Sequence, residues 1–129
     1  MYFFREYNMV YLRHRRGELL GFEREVGPDM RLTTAVEMLG EGRTTTGHRL
    51  LLSALSFKMA SRISMLAPGE VLVVGNLFRF STLDQTLRLL YTGHIHLEHD
   101  DSLDVIDLLA TWRAHAILCS HIGGPGRSS

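Results

Sequence analysis

The stretch His94-Ile95-His96-Leu97-Glu98-His99-Asp100-Asp101 gathers three imidazoles and three carboxylates into eight consecutive residues. These are the donors that hold zinc, iron or manganese, and a bound metal with an open position activates water for hydrolysis. A small metal-dependent enzyme built on His94, His96 and His99 is therefore the sharpest chemistry this chain offers. His115 and Cys119, four residues apart, face each other if they lie on one helix, and suggest a thiolate-imidazole pair. Arg13, His14, Arg15 and Arg16, next to Tyr2, Phe3, Phe4, Tyr7 and Tyr11, follow the basic-plus-aromatic recipe for single-stranded nucleic acid.

Each chemistry needs a scaffold. Two-metal hydrolases place an H-x-H-x-D-H run at the end of a buried strand and add ligands well downstream. Here a helical pattern precedes the histidines, and about 30 residues follow them, with His115 and His121 their only histidines. Glu98 also stands where such a run has Asp, moving the carboxylate by about 1.5 Å. The Cys-His pair has neither an oxyanion site nor a third orienting group. The basic run is cancelled at once by Glu18, Glu23 and Glu25. There is no P-loop and no dinucleotide-binding glycine pattern, so no enzyme and no cofactor are expected.

The elements that position these residues follow from periodicity. Phe3, Phe4, Tyr7, Val10, Tyr11 and Leu12 recur at helical spacing and predict an amphipathic N-terminal helix ending near Gly17. Gly27-Pro28-Asp29 breaks the chain, and the β-branched segment 30–39 predicts a strand that pairs with 43–46 as a hairpin. Apolar residues at 51, 52, 55, 59, 63 and 66 form a helical stripe across one or two helices. Val71 to Val74 is a short buried strand. Phe80 to Tyr91 is a helix with Phe80, Leu83, Leu87, Leu90 and Tyr91 inward, Ser81 or Thr82 as its cap, and Gly93 as its left-handed terminator. Asp100, Asp101 or Ser102 caps the next helix, and segment 114–122 predicts a last short one.

Composition bounds the rest. The chain has 129 residues, enough for one domain with a core. Lys plus Arg equals Asp plus Glu, 14 each, so no bulk field recruits polyanions, and the expected partner is protein, with no direct nucleic-acid contact and no membrane. The single cysteine, Cys119, excludes an intramolecular disulfide framework and fits a reducing compartment, the cytoplasm or nucleus.

The ordered set resembles the BTB/POZ domain. Gly47 to Met59, GHRLLLSALSFKM, is similar to the family's stretch opening on His-Arg, with His48, Arg49, Leu52, Ser56 and Met59 at matching places. Phe80 to Gly93, FSTLDQTLRLLYTG, resembles the helix that closes on Tyr-Thr-Gly, and Leu103 to Cys119 resembles the final helical pair. The resemblance implies an α+β fold, a helical cluster flanked by a short three-stranded sheet. It divides the chain into an N-terminal helix or dimerisation arm (1–28), a BTB/POZ-like domain (29–122) and a flexible tail (123–129). It departs from the family at Thr45, where an aromatic residue is usual, at Asp29-Met30 in place of the family's Asp-Val strand opening, and in a shortened last connection.

The resemblance also implies a role: homo- or hetero-dimerisation with itself or another BTB/POZ protein, and recruitment of a partner such as a transcriptional co-regulator. A cullin scaffold, bound in a ubiquitin-ligase adaptor role, is the alternative, although SRISMLAPGE lacks a clear hydrophobic-x-Glu element. The expected dimer-interface residues are Phe3, Phe4, Tyr7, Tyr11, Asp29 and Arg49. The expected partner-binding residues are Met59, Met65, Leu66 and Tyr91. On the same reading His94 and His96 point to solvent from a short extended segment while Ile95 and Leu97 point inward, so the histidines need no metal. The resemblance puts Cys119 on a buried helix face.

Overall fold

A computed structural model describes residues 9–14, 27–34, 43–75, 77–114 and 117–121. Its elements are β1 (Met9–His14), β2 (Met30–Thr33), β3 (Thr45–Gly47), α1 (Arg49–Leu55), α2 (Phe57–Ser64), β4 (Val71–Val73), α3 (Phe80–Thr92), β5 (His94–Glu98), α4 (His99–Thr111) and β6 (Ile117–His121). The class is α+β, as expected.

The predicted hairpin forms. β2 pairs antiparallel with β3, Met30 opposite Gly47, and β4 adds to the other side of β2 in parallel, giving the order β3-β2-β4. Burial follows the pleat: Met30 and Leu32 enter the core and Arg31 faces out.

The stripe from 51 to 66 divides into two helices because Ser56 is extended, with φ −162° and ψ 154°. Its hydroxyl accepts the Met59 N–H at 3.1 Å, so one residue ends α1 and caps α2. α1 opens without a side-chain cap from His48. Asp29, the residue just before β2, accepts the Arg49 N–H at 2.9 Å and satisfies one of the donors such a helix start leaves open.

α3 buries Phe80, Leu83, Leu87 and Leu90 as its periodicity requires, and Gly93 ends it at φ 90° with its N–H on the Leu89 carbonyl at 2.7 Å. Neither Ser81 nor Thr82 caps it; the residue before the helix is Arg79. α4 starts earlier than the acidic caps suggested, with Glu98 in the capping position and Asp100 and Asp101 in the first turn, where the helix dipole favours them. Ser102 instead donates to the His99 carbonyl.

Two expected helices are strands where the structure describes them. Residues 9–14 are not helical: β1 is the central strand of a second sheet, β5-β1-β6, with Val10 and Leu12 in the core. The alternation of buried Val10 and Leu12 with half-buried Tyr11 and exposed Arg13 is the period of a strand. Part of the supposed arm thus belongs to the packed body. Residues 117–121 form β6, antiparallel to β1, in place of the last helix, so Cys119 sits opposite Leu12 in a ladder, while His115 lies outside the described residues. The described residues therefore form two three-stranded sheets where one was expected. Trp112, Leu52, Met59, Leu83, Leu89, Leu108 and Leu109 fill the core they share with the helices.

Candidate interaction surface

The histidine stretch is a strand leading into a helix. β5 pairs with β1 so that Tyr11 lies opposite His96 and Arg13 opposite His94. Alternation exposes His94 and His96 and buries Leu97, with Ile95 half-buried. Both imidazoles lean on Tyr11, with ring centroids 4.8 Å away for His96 and 6.0 Å for His94. Cross-strand aromatic pairs of this kind stabilise a sheet by about 0.2–1 kcal/mol. Among the described residues, no three His, Cys, Asp or Glu side chains gather as a metal-ligand group.

The expected interface residues separate. Tyr11 is on β1 and occupied by the two histidines. Phe3, Phe4 and Tyr7 lie outside the described residues. Asp29 and Arg49 are adjacent, and the bond between them runs from the Arg49 backbone N–H to the Asp29 carboxylate, a helix cap. With Arg31, Glu70 and Thr46 they line a cleft of about 260 Å³, where Arg31 donates to the Gly69 carbonyl at 2.6 Å.

Met59 corrects another expectation. It is wholly buried, because its place on the inner stripe of α2 points it into the core, and it presents nothing to a partner. Leu66 is half-buried against the same core. Tyr91 is half-buried and its hydroxyl is internal: it accepts the His48 N–H at 3.1 Å and lies 2.5 Å from His48 Nδ1. Met65, in contrast, is 85% exposed just past the end of α2.

Sequence reasoning missed four other large apolar side chains on the surface: Leu50, Phe57, Leu77 and Leu103. Phe57 is 88% and Leu77 89% exposed. The signal was present for two of them, since Leu50 and Phe57 fall off the stripe 51, 52, 55, 59, 63, 66 that α1 and α2 turn inward. No helix among the described residues is long and apolar enough to cross a membrane. No protein-family model matches the chain, and neither does any curated protein.

Proposed function

We propose that this chain is a protein-interaction module of the BTB/POZ kind, a non-catalytic domain that pairs with itself or a relative and recruits a second protein. The observation that carries the reading is the exposure of Phe57 and Met65 at the two ends of α2, on a helix whose inner face is already fully used by Met59 and Ile63. Burying one such side chain contributes about 1.5–3 kcal/mol, so covering both is a sizeable association energy. Further support comes from the order of elements: a hairpin, a helix opening on His48-Arg49, a strand added parallel to β2, and a helix closing on Tyr91-Thr92-Gly93. β6 departs from the family pattern at the far end.

The adaptor role draws on one feature, Met65 exposed in the segment before β4, where such a domain meets a cullin scaffold. Sedimentation equilibrium of the wild type beside Phe57→Glu and Met65→Glu tests the proposal. Self-association that both variants weaken, with thermal stability unchanged, supports pairing through this helix; a wild type that stays monomeric at high concentration removes it.

A further inference from the structure

We propose that the groove between segment 77–79 and the outer face of α4 receives an amphipathic helix from a partner protein, one with basic residues along one flank. The inference rests on the interaction-module reading and names the partner's chemistry. The groove encloses about 510 Å³ and is lined by Leu77, Phe78, Arg79, Asp104, Asp107 and Thr111. Its apolar lining is Phe78, half-buried against the core, and Leu77, which stands 89% exposed at the rim. Leu103, one turn before Asp107 on α4, is also exposed.

The walls carry opposite charge. Asp104 and Asp107 stand on α4, one turn apart, with exposed Asp100 one turn further back, and Arg79 stands across from them. A helix lying between them is oriented by that polarity, its Lys or Arg flank toward α4 and an acidic flank toward Arg79. Length fits as well: the exposed part of α4 from Leu103 to Thr111 spans about 12 Å, two turns of a partner helix. At the far end the Thr111 carbonyl accepts from Lys58 Nζ at 2.7 Å, which ties the start of α2 to that end of the groove. The walls are a helix and a turn, so an extended peptide finds no strand edge there to pair with, and a helix, which satisfies its own backbone, is the better occupant.

The probe is a fluorescein-labelled helical peptide of about 12 residues with leucines on one face, lysines on one flank and glutamates on the other, titrated by anisotropy against the whole chain. The expected result is saturable binding, at least about tenfold weaker for Asp104→Lys/Asp107→Lys and for Leu77→Ser, and regained by the double variant with a peptide whose lysines become glutamates. All these positions are exposed, so circular dichroism should be unchanged. No saturable binding, or equal binding of the lysine-flanked and glutamate-flanked peptides, overturns the inference. So does a double variant that changes the molecular mass of the chain while no peptide binds, because the occupant is then a second copy. Light scattering on the same samples keeps the two proposals apart. A chain that self-associates yet binds no peptide loses this inference alone, and a monomer that binds the peptide keeps it and loses only self-pairing.

Discussion

The indole Nε1 of Trp112 donates to the Val74 carbonyl at 3.0 Å, joining the end of α4 to the residue just past β4. The carbonyl of Trp112 in turn accepts from Ser56 Oγ at 2.6 Å, so the junction between α1 and α2 is tied to the same point. Trp112 is fully buried, and its loss strips both packing and a hydrogen bond from the centre of the molecule. Trp112→Phe should cost about 1–3 kcal/mol by leaving a buried carbonyl unpaired, and Trp112→Ala about 3–5 kcal/mol or more. Urea denaturation of the two variants checks that order.

Arg113 holds φ at 60°, a left-handed conformation that a side chain disfavours. It does so because its N–H bonds the Ala110 carbonyl and the Ala114 N–H bonds the Leu109 carbonyl, both at 2.9 Å, which closes α4 in a Schellman turn. Arg113→Gly should raise stability by about 1 kcal/mol and the Tm by a few degrees. Gly93→Ala, at φ 90° after α3, should lower stability by a similar amount.

Tyr91→Phe keeps the ring and removes the hydroxyl that serves His48 twice, at its backbone N–H and at Nδ1. A loss of about 1–3 kcal/mol in thermal or chemical unfolding is expected, since His48 is buried and loses a partner for its N–H. No loss of stability would show that the hydroxyl is dispensable to the fold.

Leu12→Ala tests the central place of β1. The side chain is wholly buried in the core, on a strand paired along both edges, and truncation should cost about 2–5 kcal/mol. An exposed dimerisation helix at this position predicts almost no loss in the isolated chain, so equilibrium unfolding distinguishes the two.

The helices were legible where their pattern was long. Phe80 to Gly93 shows nearly four turns of spacing and a glycine stop, and the structure follows them to the residue that terminates the helix. β4 and the hairpin were legible from β-branched runs bounded by glycine and proline. β1 was not, because its apolar residues fit helical and alternating patterns alike over so short a run. What decides it is pairing with β5, more than eighty residues away in sequence. β6 is five residues long and is settled by its pairing with β1, more than a hundred residues before it. The exposure of Leu77 was invisible for a related reason: which side of a turn meets solvent depends on where α4 lies.

The absolute mass of the chain by light scattering over a dilution series tests the central claim most directly. The account predicts twice the 14.6 kDa of one chain at high concentration, falling toward one chain on dilution and shifted by Phe57→Glu. A mass of one chain at every concentration, unaltered by that substitution, would contradict it.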